Sequence, residues 1–182
     1  MKQNRLDAVL RNMEEMGLSQ VLITDPLSIF YLTGRMIRPL ERFYALYLNR
    51  SGGHKIFINQ LETVPEDLGV EKVRFTDTDP YMDMVIQTVD SRESLGVDKN
   101  MAARFLLPLV HSGAATDFVN ASIVLDKARA IKDLQEQEFM HKASEISEMS
   151  PPLPPMWLYR EIFFPSSQVS TWRASWGYVS RI

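Results

Sequence analysis

His54, His111 and His141 are the residues best suited to hold a metal or move a proton near neutral pH, but their spacing serves neither purpose. None has a second His or a Glu at the interval of an H-E-x-x-H helix, and ordinary surface or hydrogen-bonded histidines account for all three. Asp77 and Asp79 resemble a carboxylate pair for acid–base work. They directly precede a helix start at Pro80, however, where capping of free N–H groups explains them. Glu136 and Glu138 take the same helix-surface reading. Gly52-Gly53 follows a strand without opening a helix and has no Lys-Ser/Thr partner, so it does not form a phosphate loop. Ser112 and the Ser166-Ser167 pair have no base beside them. With no cysteine in the chain, thiolate nucleophiles, disulfides and zinc-thiolate sites are excluded. The residues therefore predict no catalytic site and no metal site in this chain.

One stretch keeps the chemistry of recognition. Between Arg35 and Arg42, a loop with Pro39 in it gathers Arg35, Arg38, Glu41 and Arg42 between two apolar elements. Arginines so placed can take a carboxylate by paired hydrogen bonds, at a substrate terminus or on a neighbouring subunit. A solvated loop with a surface ion pair worth at most about 1 kcal/mol is the other reading, and residue types alone leave both open.

The elements that must hold this loop are legible around it. Leu6, Val9, Leu10, Met13 and Met16 recur at helical spacing, with Arg5, Asp7, Arg11, Glu14 and Glu15 on the opposite side and Gly17 at the C-terminal end. Val21-Leu22-Ile23 is a short apolar run, the pattern of a strand buried on both faces. Asp25-Pro26 starts a second helix that Gly34 ends, and Ile29, Phe30 and Leu32 inside it are expected to be buried. After the loop, Phe43–Leu48 is a strand that turns through Gly52-Gly53 into Lys55–Ile58, an antiparallel hairpin. Leu61–Leu68 reads as a short helix interrupted by Pro65, and Val70–Phe75 as an edge strand. Met82, Val85, Ile86 and Val89 then mark a helix, and Leu95–Val97 a brief strand. Asn100 is expected to cap a helix from Met101, ending near Gly113, with a short strand within Ala115–Val119. Asp133 with Glu136 forms an Asp version of the capping box, ahead of an apolar stripe of Phe139, Met140, Ala143 and Ile146. Helices alternating with strands, one pair of them a hairpin, predict an α/β fold with a mixed, parallel and antiparallel, sheet flanked by helices.

Composition narrows the partners. At 182 residues the chain has room for one well-buried domain and part of a second, since a chain near this size hides roughly 70% of its unfolded surface. A net charge of -3 offers no basic surface for nucleic acid, and no run reaches the roughly 18 apolar residues of a membrane span. The start of the chain is charged and amphipathic rather than an apolar leader, so a cytoplasmic location is expected. Beyond Met149 the character changes: Pro151, Pro152, Pro154, Pro155 and Pro165 make half of the ten prolines, and Trp157, Trp172 and Trp176 are all of the tryptophans. An arm that docks on a partner and the product of a shifted reading frame both fit that composition.

Two stretches carry a family resemblance. Thr24–Gly34, TDPLSIFYLTG, followed by ERFYALYLN at Glu41–Asn49, resembles the Tyr-Leu-Thr-Gly signature and following strand of the creatinase/prolidase N-terminal domain. Ala128–Ile146, ARAIKDLQEQEFMHKASEI, is similar to the same family's Arg-x-Ile-Lys linker and the first helix of its catalytic domain. LGVDKN at Leu95–Asn100 matches the element order between them. The resemblance covers residues 1–148 and implies three segments: an N-terminal domain at 1–127, a linker and first catalytic helix at 128–148, and an atypical tail at 149–182. It also implies a parent Xaa-Pro dipeptidase or aminopeptidase, a homodimer that hydrolyses the bond before proline in a dipeptide or peptide. Two divalent ions, Mn, Co or Zn, would be held there by two Asp, one His and two Glu, none of which can be assigned in this chain. The chain alone is then expected to be inactive. In relatives the loop after the Tyr-Leu-Thr-Gly often reads Asp-Pro-His-Glu-Arg and reaches the partner's active site. Here it is Arg38-Pro39-Leu40-Glu41-Arg42, where Pro39, Glu41 and Arg42 fit, and Arg38, Glu41 and Arg42 become the candidate partner or substrate contacts. A stand-alone binding or oligomerisation module, built on the apolar stripe of the last helix and the tryptophan-rich tail, and a creatinase-like amidinohydrolase parent are the alternatives.

Overall fold

Every side chain of Gln20–Ile23 (β1) is buried, and both edges of the strand are hydrogen-bonded, which places it inside a sheet rather than on its rim. The computed structural model describes residues 1–65 and 67–149. The chain divides into two compact units between Ile131 and Lys132.

In the first unit the elements run α1 (Gln3–Glu15), β1, α2 (Pro26–Thr33), β2 (Ala45–Asn49), β3 (Lys55–Asn59), β4 (Glu71–Phe75), α3 (Tyr81–Thr88), β5 (Leu95–Val97), α4 (Ala103–His111), β6 (Phe118–Asn120) and α5 (Ser122–Ala130). The strands form one sheet in the order β4-β3-β2-β1-β5-β6. β1 is antiparallel to β2, in the register Ile23↔Leu46, and parallel to β5; β3 pairs antiparallel with β2 and parallel with β4. This is the mixed sheet that the hairpin and the alternating helices predict.

The pleat sends alternate residues to opposite faces, and each face has its own core. On one face Val21, Ile23, Leu46, Leu48, Ile56 and Ile58 pack with α1, α2 and α5. On the other, Leu22, Ala45, Tyr47 and Phe57 meet α3 and α4 through Val85, Phe105 and Leu109. Gln20, fully buried, is satisfied by Tyr47 Oη at 2.8 Å and by the Asp90 backbone, whose N–H it accepts at 2.9 Å and whose carbonyl it reaches at 2.8 Å. Gly96 lets the sheet and the packing above it approach closely. A Cβ there would stand 2.6 Å from the Ala121 Cβ and 2.9 Å from Val21 Cγ2.

Local chemistry forms α2 as its sequence predicts. The Asp25 side chain accepts from the Ser28 N–H at 2.9 Å, Pro26 begins the helix, and Gly34 closes it at φ 72°, a left-handed turn that favours glycine. Several other expectations are corrected. Arg5, placed by periodicity on the outer face of α1, is buried; it donates to the Tyr31 carbonyl at 3.0 Å and lies 4.4 Å over the Tyr31 ring. Phe30 is 40% exposed, because its position on the short α2 faces away from the core that takes Ile29 and Leu32. The described residues of 61–68 form turns rather than a helix; the Glu62 and Pro65 carbonyls accept instead from Arg74 and Lys72 of β4. Asn100 caps no helix, since its amide is committed to Asp25 at 3.2 Å and α4 starts only at Ala103. A helix that sequence reading did not mark, α5, covers the Val21 face with Val124, Leu125 and Ala128.

In the second unit, α6 (Leu134–Met149) opens on a reciprocal box: Glu136 N–H to Asp133 Oδ1 at 2.8 Å and Asp133 N–H to Glu136 Oε2 at 3.0 Å. Phe139, Met140 and Ile146 are 59%, 56% and 66% exposed. The proline- and tryptophan-rich tail lies outside the described residues.

Three substitutions read these cores. Gly96→Ala should lower unfolding free energy by about 1–3 kcal/mol through overpacking against Ala121 and Val21, measured as the shift of the urea midpoint; an unchanged midpoint would contradict the close packing. Tyr31 Oη donates to the Ala128 carbonyl at 3.0 Å, whereas the equally buried Tyr44 Oη has no partner among the described residues. Tyr31→Phe should therefore cost about 1 kcal/mol, and Tyr44→Phe should leave stability unchanged or raise it.

Candidate functional site

The loop between α2 and β2 crosses the end of the sheet from one core to the other. Ile37 is buried with the α1–α2–α5 side, and Phe43 is buried among aromatic rings on the α3–α4 side. Phe43 lies 5.0 Å from Phe105 edge-on and 5.5 Å from Tyr81 in a stacked pair. Residues 38–42 are thereby strung between two anchors, at the end of the sheet where β1, β3, β4 and β5 all finish. In open α/β sheets the carboxyl ends of the strands are where ligand sites form.

Of the predicted contacts, Arg38 and Glu41 are exposed, and no pairing by their charged groups is found among the described residues. Arg42 is engaged: its Nε is 3.2 Å from Asp77 Oδ1, and its Nη2 3.5 Å from Oδ2. Asp77 also accepts from Asn59 Nδ2 at 2.7 Å, at the end of β3. The ion pair is 39% and 59% exposed, so it guides geometry more than it stabilises. Arg104, on α4, donates to the Glu41 carbonyl at 2.5 Å. Leu40, between them, holds φ 54° and is 85% exposed. Leu40, Glu41, Arg42, Phe43, Phe75, Asp77 and Tyr81 line an open cleft of about 490 Å³.

Asp77 therefore does not cap α3 as its position suggests. Asp79 turns back to accept from the Thr76 N–H and hydroxyl at 2.6 and 2.8 Å, leaving Pro80 at the helix start with no side-chain cap. His54 is half-buried, accepts from the Asn49 N–H at 3.3 Å, and is pulled below its ordinary pKa by that burial. His111 and His141 are exposed on α4 and α6. Among the described residues no three His, Asp or Glu are grouped as a metal ion requires, and no helix is long and apolar enough to cross a membrane.

A second, smaller crevice of about 130 Å³ lies at the same end of the sheet, lined by residues of α2, α5 and the turn after β5, including Asp25, Asp98, Lys99 and Arg129. Its carboxylates are committed to backbone and side chains. Asp98 Oδ2 accepts from the Thr24 N–H, from the Thr24 hydroxyl at 2.8 Å and from the Asp25 N–H at 3.2 Å, which ties β5 to the start of α2. Burial pushes the Asp25 carboxyl up, but the Ser28 hydroxyl and N–H, Asn100 and the charge of Arg129 together hold it below 3.8. These pairings join elements of the fold, as does the pair of Lys99 with Asp126 at 2.8 Å. Sequence reading missed Asp98 and Arg104, whose partners stand 74 and 63 residues away.

Because Asp25 has a lowered folded pKa, its contribution to stability is complete above 3.8 and is lost as pH falls through the folded value. Asp25→Asn should therefore flatten the fall of unfolding free energy below pH 4 and leave its slope above pH 5 unchanged; an identical acid limb in both proteins would contradict the assignment.

The sequence profile described as the Creatinase/Prolidase N-terminal domain matches residues 5–131. An uncharacterized peptidase of Staphylococcus saprophyticus is 26% identical over 155 residues, spanning 79% of this chain and 41% of the relative. The dipeptidase PepE of Mycobacterium ulcerans is 28% identical, with a TM-score of 0.63 over 75% of this chain and 38% of its own. A proline dipeptidase structure from Streptococcus pneumoniae is 22% identical with a TM-score of 0.62, covering 70% of this chain and 98% of that one. The chain thus spans about two fifths of the length of the curated relatives it matches. A profile match over most of the chain, on the six-stranded mixed sheet just described, places it in the creatinase/prolidase N-terminal domain family.

Proposed function

We propose that this chain is the N-terminal domain of a Xaa-Pro metallopeptidase, which walls the substrate site and helps form a homodimer in the cytoplasm, and that it is inactive alone. The observation that carries this reading is the match over residues 5–131 to a domain that occupies less than half of the curated relatives. The substrate would be a dipeptide or peptide with proline after the scissile bond. The two divalent ions of such a peptidase belong to a catalytic domain; the described residues here offer no ligand set that fits them. Residues 1–127 are the N-terminal domain in this reading, 128–148 the linker and first catalytic helix, and 149–182 a tail that does not follow the family pattern.

What this domain can offer a neighbour is the exposed run of Arg38, Leu40 and Glu41, held at the strand ends. A guanidinium and a carboxylate with no partner among the described residues fit the two termini of a short peptide, or the charged rim of a partner's site, by charge-assisted hydrogen bonds. A second reading, an oligomerisation module, draws on the exposed Phe139, Met140 and Ile146 of α6.

The purified chain, assayed with an Xaa-Pro dipeptide and Mn²⁺ or Co²⁺, should show no turnover above the metal-only blank. Clear turnover would overturn the inactivity. Light scattering of the full chain and of a chain ending at Glu148 tests the second reading: association that weakens on removing the tail supports it, and a monomer in both cases removes it.

A further inference from the structure

We infer that Arg42 is not itself a contact but a positioning residue, and that with Asp77 and Arg104 it fixes how the loop presents Leu40 and Glu41. The inference deepens the reading of the loop as a contact surface and rests on it. Leu40 has a left-handed backbone and an exposed apolar side chain, a conformation that disfavours a residue with a Cβ and gives the chain no burial in return. Such a tip persists when what flanks it is fixed. Both flanks are fixed here, and from outside the loop. Asp77, oriented by Asn59 at 2.7 Å, holds the Nε side of Arg42, while Arg104 reaches the Glu41 carbonyl with its guanidinium 4.7 Å over the Phe105 ring. Within the loop, the Arg42 N–H closes a turn on the Pro39 carbonyl at 3.0 Å. Asp77 uses the Nε edge of Arg42, and Arg104 uses the Glu41 backbone, so the Glu41 carboxylate stays outward. The division of labour is then Arg38, Leu40 and Glu41 for contact, and Arg42, Asp77 and Arg104 for geometry.

Amide hydrogen exchange on the full chain tests this without any partner, and so separately from the function proposed above. Asp77→Asn and Arg104→Ala should each raise exchange of the Arg42 amide, which is hydrogen-bonded to the Pro39 carbonyl, about fivefold, with β1 and β2 unchanged, because only a local opening is released. Arg42→Gln should match Asp77→Asn, and the double variant should be no faster than either, since one coupled contact is removed in all three. Arg38→Ala and Glu41→Ala should leave the loop's exchange at the wild-type rate. Wild-type exchange in Asp77→Asn and Arg104→Ala, or equal acceleration by Glu41→Ala, would overturn the assignment. A uniform rise that includes β1 would also overturn it, since it would mark these residues as general stabilisers. If the loop responds as expected but the parent peptidase is insensitive to loss of Arg38 and Glu41, the contact reading fails and the clamp stands.

Discussion

The structure depends on a strand that is allowed no polar face. Val21, Leu22 and Ile23 are each 1% exposed or less, and their neighbours on both sides are hydrogen-bonded strands. A strand so placed requires a helical layer on each face, because leaving either side open would expose several large apolar side chains at about 1.5–3 kcal/mol each. Both layers follow: α1, α2 and α5 on one face, α3 and α4 on the other. The only buried polar side chain in the strand, Gln20, is tolerated because its amide is satisfied by Tyr47 and Asp90. The absence of a side chain at Gly96 lets the neighbouring strand approach Val21 and Ala121.

That arrangement also decides where recognition chemistry can sit. A loop that leaves α2 in one core and enters β2 beside the other must pass over the strand ends, and its two buried residues, Ile37 and Phe43, belong to different cores. The charged and apolar groups between them have nowhere to be buried. Arg104 of α4 and Asp77 of the turn before α3 then supply the side chains that hold the crossing in place. The same sheet end carries the Asp98 crevice, where carboxylates are spent on joining β5 to α2; the two sites share a location but not a role.

What was legible in the sequence was what is decided within a few residues. The Asp25-Pro26 start and Gly34 end of α2, the Gly52-Gly53 hairpin and the Asp133/Glu136 box are each written in neighbouring residues, and each forms. The apolar run of β1 likewise announces a strand buried on both faces. Arg5, Asp77 and Asn100 defeated local reading for one reason. Each has a plausible nearby role, as outer-face residue or cap, and each is drawn away by a partner 26, 35 or 75 residues distant. Arg104 shows no signal at all, since a guanidinium that donates to a backbone carbonyl across 63 residues leaves no pattern in either stretch. The family resemblance identified the domain because its motifs lie on the locally determined elements. It could not rank Arg38, Glu41 and Arg42, because their difference lies in what they touch.

We propose that these residues are one domain of a larger metallopeptidase. This is tested most directly by reading the coding DNA downstream of codon 148 in all three frames. One frame is expected to continue the family pattern and supply the two Asp, one His and two Glu that would hold two metal ions. If no frame encodes those ligands, the claim of a metallopeptidase parent is contradicted.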